Sequence, residues 1–449
     1  MDWIIKDCGF SVEDIDYYAN KFLIGNGYMG IRASLDEYSA EERACINLAG
    51  IYDRNGDTWR ETVNAPNGLW ISLSVNGRVI ALPHTDAVEH EQWVDIKNAL
   101  QGRKTVWQLE EGKLTVTSER FASMNNFHRL LVKYTVETDF DAKIEVLSGI
   151  DANIWDISNK HFAKMKLYES QGVIIAEGVT VENATKVKVS QTAKCNVAKC
   201  DEIFVSKEQI AHKFCYKAQK GVKAEFEKQV YVSTSLDNDG AYDFTECSYS
   251  VEFKEHSNKW EEIWQKSLVT IEGDDEAMFA LNYSLYHLNI VAPRHCDALS
   301  IAARGLSSQV YKGAIFWDTE MFMFDYFLFT QPQIARKFLK YRVNTIKGAL
   351  IKAKEYGFDG AFYAWESQEE GYDACSEYNI IDVFTGRPVR TYFRDKQVHV
   401  SAAIIFAFME YINVTNDRSL LNEGGAKMVI ECAKFYYSML LKKPCNDYF

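Results

Sequence analysis

Two short segments of the sequence place a tryptophan directly before an acidic residue. In the first, Trp317 and Asp318 stand at the start of a segment with helical periodicity. An indole ring packs on the C–H face of a sugar, and a carboxylate accepts charge-assisted hydrogen bonds from hydroxyl groups. The pair therefore predicts a sugar-binding site. A structural interpretation is equally good, in which Asp318 caps the helix and Trp317 belongs to the core.

The second segment repeats this pairing at Trp365 and Glu366, within a long aromatic stretch that has little periodicity. Loops longer than about 12–15 residues inside a compact domain are usually functional or disordered, and the aromatic content argues against disorder. The repetition favours a sugar site, although Glu366 and Ser367 could also simply begin a turn. His399 stands at the entrance of a later helix, where a single histidine is more often structural than catalytic.

The remaining motifs disfavour several common chemistries. Residues 25–30 fit the pattern G-x-G-x-x-G, but no strand–helix–strand unit surrounds them, so we predict a turn with positive φ instead of a phosphate-binding loop. The His-Glu-x-x-His, Gly-x-Ser-x-Gly and EF-hand patterns do not occur in the sequence, which disfavours metalloproteases, esterases and calcium-binding proteins. Cys195 and Cys200 have no companion pair at zinc-finger spacing, and we expect no metal site there.

The charge balance and the cysteines indicate which partners and compartment to expect. Acidic residues outnumber basic ones by 63 to 50, and the net charge of −13 disfavours nucleic acid and anionic membranes as partners. The ten cysteines are scattered, as is typical of reduced thiols. The first residues do not resemble a signal peptide, and the longest apolar stretch, near residues 402–412, is too short to span a bilayer. We therefore expect a cytoplasmic protein.

The elements that must position these residues fall into two parts. The chain of 449 residues exceeds the roughly 250–300 residues that one hydrophobic core supports. Short runs of alternating apolar and polar residues predict strands over residues 69–255, with a hairpin turn at Asn76 and Gly77 and a last strand at residues 249–253. Helical periodicity begins near residue 254 and predicts helices at 320–329, 333–355, 398–414 and 424–441, with a long loop over 357–396.

Taken in order, these motifs resemble glycoside hydrolase family 65, which contains the maltose, trehalose, kojibiose and nigerose phosphorylases. The matching segments are residues 22–32, 292–294, 316–320, 341–349, 365–367 and 397–401. Each segment is modestly specific, but the ordered set is highly specific. The resemblance implies a multidomain protein with an N-terminal antiparallel β-sandwich (1–253), a helical linker (254–274) and the first part of an (α/α)6 barrel (275–449).

The same resemblance implies a reaction and a set of binding residues. The family reaction is the inverting phosphorolysis of an α-linked glucosyl disaccharide to β-glucose 1-phosphate and a free sugar, with inorganic phosphate as co-substrate and no cofactor. In the family a Trp-Asp pair, here Trp317 and Asp318, holds the glucosyl unit at the nonreducing end. Trp365 and Glu366 match a pair that lines the same subsite, and His399 is expected close to it. We also expect a homodimer.

The general acid of the family is not among these residues. It is the glutamate of a Gly-Pro-Asp-Glu-Tyr motif that does not occur in this sequence and is expected beyond Phe449, so the catalytic residue is unknown and the chain alone is expected to be inactive. The family places Asp318 and Glu366 in substrate binding, so neither is assigned as the acid. Two alternatives stay open: an inverting α-glucoside hydrolase of the same family, and a truncated, noncatalytic sugar-binding protein.

Overall fold

The computed structural model describes residues 3–32, 35–237, 244–308 and 310–440. The chain divides into two compact units. The first continues to Val291 without residues 59–61 and includes Leu306–Ser308. The second consists of Trp59–Glu61, Ala292–Gly305 and the described residues from 310 onward. An antiparallel, sheet-rich region followed by a helical region is the architecture that the sequence predicted.

The first unit is built mainly from antiparallel strands. Its strands are β1 (Ile4–Cys8), β2 (Ile24–Gly25), β3 (Met29–Ile31), β4 (Ile46–Asp53), β5 (Glu61–Ala65), β6 (Ile71–Val75), β7 (Arg78–Ile80), β8 (Glu89–Asp95), β9 (Leu100–Gln108), β10 (Lys113–Ala122), β11 (Arg129–Thr138), β12 (Ala142–Asp151), β13 (Phe162–Ser170), β14 (Val173–Thr180), β15 (Lys186–Cys195), β16 (Glu202–Val205), β17 (Gln209–Ala218) and β18 (Ala224–Thr234). Its helices are α1 (Ile15–Lys21), α2 (Tyr249–Ser267) and α3 (Asp275–Val291).

Two large sheets of this unit pack on each other as a sandwich. The first has nine strands in the order β1-β8-β9-β10-β11-β18-β15-β14-β13, and the second has five in the order β16-β17-β12-β6-β7. Strand β12 packs against β14 and β15, and Gln191 Nε2 donates a hydrogen bond of 3.3 Å to Ser148 Oγ across the two sheets. A third sheet has the order β2-β3-β4-β5. The core of the unit therefore lies between its sheets.

The predicted hairpin at Asn76 and Gly77 is confirmed. It joins β6 to β7, and the turn residues have φ of +51° and +82°, as a type I′ turn requires. Alternate residues of β6 are buried, which matches the apolar–polar alternation of its sequence. Strands β1 to β5 lie before the region where strands were predicted, and all five residues of β5 are buried, so this strand lacks the alternation that marks a half-exposed strand.

The strand predicted at residues 249–253 is wrong, because these residues form the first turn of α2. Tyr249 and Phe253 are four residues apart, and both rings lie 5.4 Å from the ring of Phe121. Val251, between them, is 61% exposed. Tyr249 and Phe253 therefore share one face of a helix. Together with Val251 they also alternate at every second residue, which is why the sequence fits a strand as well.

The glycine-rich segment at residues 25–30 is a turn, as predicted. Gly27 has φ of +83°, and the side-chain Oδ1 of Asn26 accepts hydrogen bonds of 3.1 Å from the backbone N–H groups of Tyr28 and Met29. A Cβ at Gly30 would lie 2.2 Å from that of Leu306. Close backbone packing therefore explains these glycines without a phosphate ligand.

The second unit is mainly helical. Its helices are α4 (Phe324–Thr330), α5 (Pro332–Asn344), α6 (Ile346–Glu355), α7 (Phe393–Lys396), α8 (His399–Thr415) and α9 (Ala426–Met439), and its hairpin consists of β19 (Tyr378–Ile381) and β20 (Pro388–Arg390). A π-helical turn over Thr319–Met323 leads into α4, and another over Leu421–Gly425 leads into α9. The predicted end of the last helix at residue 441 lies outside the described residues.

Two predictions for this unit need correction. The single helix predicted at 333–355 is two helices, and the break falls at Thr345, whose Oγ1 donates a hydrogen bond of 2.9 Å to the carbonyl oxygen of Tyr341. Such back-bonding by threonine bends helices. The segment predicted as a loop at 357–396 contains the hairpin and α7. Asp382 Oδ1 accepts hydrogen bonds from the N–H groups of Phe384 and Thr385 and fixes the tip of the hairpin.

The expected domain limits of 1–253, 254–274 and 275–449 stay a prediction, and both α2 and α3 belong to the first compact unit. Over the described part of the chain, no helix combines the length and apolar character that crossing a membrane requires.

Candidate active site

Trp317 and Asp318 directly precede the π-helical turn that leads into α4. Asp318 has helical backbone angles, with φ of −54° and ψ of −36°, and its side chain makes no capping hydrogen bond. The interpretation of Asp318 as a helix cap is therefore wrong, because a cap has an extended backbone and accepts a backbone N–H. Within the described residues its carboxylate has no hydrogen bond or ion pair. Both side chains are partly exposed, so Asp318 is free to bind a ligand.

A buried ion pair fixes the backbone around these two residues. Arg342 on α5 donates hydrogen bonds of 2.8 and 2.9 Å to the two carboxylate oxygens of Glu320. It also donates one of 2.9 Å to the carbonyl oxygen of Phe316. Both charged side chains are fully buried. Arg342 therefore holds Phe316 and Glu320, and these contacts fix the backbone on both sides of Trp317 and Asp318.

Aromatic rings bring together three of the predicted residues. The ring centroids of Trp317 and His399 are 4.6 Å apart at 82°, and those of Trp365 and His399 are 6.0 Å apart at 71°. Trp365 also stacks on Phe393 of α7 at 5.9 Å. His399 is the first residue of α8, and its Nε2 is buried with no hydrogen-bond partner among the described residues. The two indoles and the imidazole therefore form one cluster beside Asp318.

Glu366 differs from Asp318 because it is already paired. Its carboxylate lies 2.8 Å from Lys312 Nζ, and both side chains are more than nine-tenths buried. Burial raises the pKa of Glu366 above its usual value, and the charge of Lys312 opposes this shift. The residue that follows, Ser367, pairs with Ile315 and Asp373 as isolated β-bridges. The segment is thus a short ladder and not only the start of a turn.

This ladder ties the two tryptophan–acid segments to each other. The N–H of Ile315 donates to the carbonyl of Ser367 at 2.8 Å, and the N–H of Ser367 donates back to Ile315 at 3.0 Å. Tyr341 of α5 adds a hydroxyl contact of 2.7 Å to Ser367 Oγ. The segments that carry Trp317 and Trp365 are therefore held in fixed register.

A second buried ion pair supports the loop after Glu366. Asp373 lies 2.7 Å from Lys352 Nζ of α6. Its carboxylate also accepts from the N–H groups of Trp365, Glu366 and Cys375 at 3.4, 3.3 and 3.1 Å. One carboxylate thus orders the backbone on both sides of the segment.

Comparison with known proteins identifies the family. The model of the N-terminal domain of glycosyl hydrolase family 65 matches residues 5–266, and the model of its central catalytic domain matches residues 282–446. The chain belongs to glycosyl hydrolase family 65. The resemblance that six short segments indicated is thus confirmed, and the two matches cover most of the chain.

Several relatives of this family 65 chain are phosphorylases by name. It is 45% identical to a nigerose phosphorylase of Lachnoclostridium phytofermentans, over 100% of this chain and 64% of that protein. It is 32% identical to a 1,2-alpha-glucosylglycerol phosphorylase of Bacillus selenitireducens, over 95% of this chain and 56% of that protein. The chain therefore spans less than two thirds of the length of these relatives.

A solved structure shows the same fold. A putative kojibiose phosphorylase from the human microbiome superposes with a TM-score of 0.85 and 19% sequence identity, over 99% of this chain and 60% of that one. The similarity covers both the sheet-rich and the helical unit.

Sequence reasoning missed the residues that support the site. Lys312, Lys352 and Asp373 are isolated charges in the sequence, and their pairing appears only when separate segments fold together. Arg342 falls within a segment that matches the family, at residues 341–349, which was a signal without an assigned role. In the described part of the chain, no group of three His, Cys, Asp or Glu residues is arranged to hold a metal ion.

Proposed function

We propose that this family 65 protein serves the inverting phosphorolysis of an α-linked glucosyl disaccharide to β-glucose 1-phosphate and a free sugar. The names of its relatives support phosphorolysis, and the 45% identity with a nigerose phosphorylase makes nigerose the first substrate to test. Inorganic phosphate is the co-substrate in this proposal, and no cofactor takes part.

The observation that carries the proposal is the free carboxylate of Asp318 beside the cluster of Trp317, Trp365 and His399. A glucosyl unit offers hydroxyl donors to a carboxylate and a C–H face to an indole. In this arrangement Asp318 accepts a hydrogen bond from a sugar hydroxyl, and the indoles pack on the sugar ring. The buried Nε2 of His399 gains a hydrogen-bond partner. Glu366 provides a second acceptor in the same subsite.

The reaction needs a proton donor and a nucleophile on opposite faces of the sugar. Phosphate attacks the anomeric carbon while an acid protonates the departing glycosidic oxygen, so one protein carboxyl group is sufficient, unlike the two of an inverting hydrolase. Glu366 is held by Lys312 at 2.8 Å, which suits a fixed acceptor better than a proton donor. We therefore propose Glu366 as an acceptor in substrate binding and not as the proton donor of the reaction.

The remaining parts of the proposal concern partners and location. We propose a homodimer in the cytoplasm that handles small neutral sugars, with no nucleic-acid or membrane partner. The net charge of −13 and the scattered cysteines support the proposed location and the absence of nucleic-acid and membrane partners.

The binding step is tested on the 449-residue chain by titration calorimetry with glucose. Asp318→Asn removes the charge from the acceptor, and because hydrogen bonds to charged groups contribute about 1.5–3 kcal/mol, we expect Kd to rise roughly 10- to 100-fold. Asp359→Asn, a change of the same type at another residue of the same unit, is the control and should leave Kd unchanged. Equal affinity of Asp318→Asn and the parent protein would refute the proposed site.

The reaction is tested by assaying the protein expressed from its complete gene with nigerose and phosphate. The expected product is β-glucose 1-phosphate, formed only when phosphate is present. Release of free glucose without phosphate would refute phosphorolysis and favour hydrolysis.

A further inference from the structure

Lys312 lies in an unusual backbone segment just before the Trp317–Asp318 pair. Tyr311, Lys312 and Gly313 have φ of +73°, +57° and +66°. The left-handed region is disfavoured for residues other than glycine and persists only where the surrounding structure imposes it. Two successive non-glycine residues in this region indicate that tertiary contacts determine the position of Lys312.

The polar contacts of Lys312 are with the segment that carries Glu366. Lys312 Nζ lies 2.8 Å from Glu366 Oε2, donates a hydrogen bond of 2.9 Å to the carbonyl oxygen of Ala374, and lies 5.3 Å above the ring of Trp59. The carbonyl oxygen of Lys312 accepts from Gln368 Nε2 at 3.1 Å. The lysine thus connects the backbone before one predicted sugar-binding pair with the side chain of the other.

The other groups that act on Glu366 do not replace this cation. Asp373 acts on it as a like charge, and Cys375 as a hydrogen-bond donor. Lys352 is engaged with Asp373 at 2.7 Å. Within the described residues, Lys312 is therefore the cation in direct contact with Glu366.

We propose that Lys312 is a positioning residue that keeps Glu366 ionised and fixed as an acceptor for a hydroxyl group of the bound glucosyl unit. This inference rests on the proposed function, in which Glu366 lines the glucosyl subsite. Lys312 itself contacts no substrate in this scheme and acts only through Glu366.

The electrostatics give the direction of the effect. Burial raises the pKa of Glu366 and Lys312 lowers it, so removal of the lysine charge moves this pKa further upward. A protonated Glu366 is a poorer acceptor than a carboxylate. Without Lys312, glucose binding should therefore weaken near neutral pH and recover as the pH rises. A lysine with a purely structural role would lower affinity equally at all pH values.

The test compares Lys312→Met with Lys312→Arg in the 449-residue chain. Methionine keeps an unbranched side chain without charge, and arginine keeps the charge. The control is Lys347→Met, which removes an exposed pair with Glu370 in the same unit. For each variant, glucose affinity is measured by calorimetry between pH 5 and 9, and the carboxyl group of Glu366 is titrated by NMR with 13C-labelled glutamate in the absence of sugar.

We expect Lys312→Met to bind glucose at least tenfold more weakly at pH 7 and to regain affinity at higher pH, with Glu366 titrating at higher pH than in the parent. Lys312→Arg and Lys347→Met should keep the parent titration of Glu366. An unchanged titration of Glu366 in Lys312→Met would overturn the inference, as would an affinity loss that does not depend on pH.

A double variant covers the case in which Lys312→Met does not fold. Lys312→Met combined with Glu366→Gln removes both charges and leaves no unpaired ion in the interior. If Lys312 acts through Glu366, the double variant should bind glucose as well as Glu366→Gln alone, and a further tenfold loss would contradict this. Absence of glucose binding in the parent protein would instead refute the proposed function, and the titration of Glu366 would still decide the role of Lys312.

Discussion

The ion pair between Arg342 and Glu320 offers a quantitative test of how the site is held in place. Both side chains are fully buried, and Arg342 makes three hydrogen bonds of 2.8–2.9 Å, two to Glu320 and one to the carbonyl of Phe316. Arg342→Met removes all three and leaves a buried carboxylate without its partner. Removal of one member of a buried pair costs about 3–5 kcal/mol, so we expect a loss of this size in the stability of α5 and its neighbours.

The loss should be measured where it occurs, because the chain has two compact units and one global unfolding transition is not assured. Hydrogen exchange of the α5 amides reports the local opening free energy of this region. Arg342→Met combined with Glu320→Leu replaces both charges by apolar groups and should recover most of the loss. Replacement of a whole buried ion pair by apolar residues often changes stability little. A loss below about 1 kcal/mol in Arg342→Met would show that the pair does not carry the stability assigned to it.

Two further predictions concern packing and pH. In Gly348→Ala the new Cβ would lie 2.3 Å from the backbone oxygen of Gly371, so we expect the opening free energy of the α6 amides, measured by hydrogen exchange, to fall by about 1–3 kcal/mol. Lys347→Ala on the exposed side of α6 should change this free energy by less than about 0.5 kcal/mol. Burial lowers the pKa of His256 from 6.5 to about 4, so its contribution to stability is present above pH 6.5 and is lost as the pH falls towards 4. Between pH 7 and pH 4, the free energy of unfolding should therefore fall by about 3 kcal/mol less in His256→Gln than in the parent protein. Parallel profiles of stability against pH for the two proteins would contradict this.

Local sequence patterns predicted the elements whose conformation depends on residues adjacent in the sequence. The hairpin at Asn76 and Gly77 was predictable because the turn residues and the alternation of β6 agree. The helix at residues 249–253 was mistaken for a strand because its apolar residues fit both periods, and only the contacts of Tyr249 and Phe253 with Phe121 distinguish them. Where the local pattern is ambiguous, tertiary packing decides the structure.

The candidate site shows the same division. Trp317 and Trp365 could be found from the sequence because each stands beside an acidic residue. The sequence could not show that Asp318 is free while Glu366 is paired, since that difference depends on where Lys312 lies after folding. The residues proposed to bind sugar are thus easier to find than the residues that hold them, because the supporting charges are distant from them in the sequence.

The reciprocal hydrogen bonds of 2.8 and 3.0 Å between Ile315 and Ser367 have a consequence for the rate of sugar binding. The two walls that carry Trp317 and Trp365 are joined before any ligand arrives, so little conformational entropy is lost on association. Binding should then be a single encounter without a preceding loop rearrangement. Among similar sugars, differences in affinity should therefore arise mainly in the residence time and only weakly in the rate of arrival.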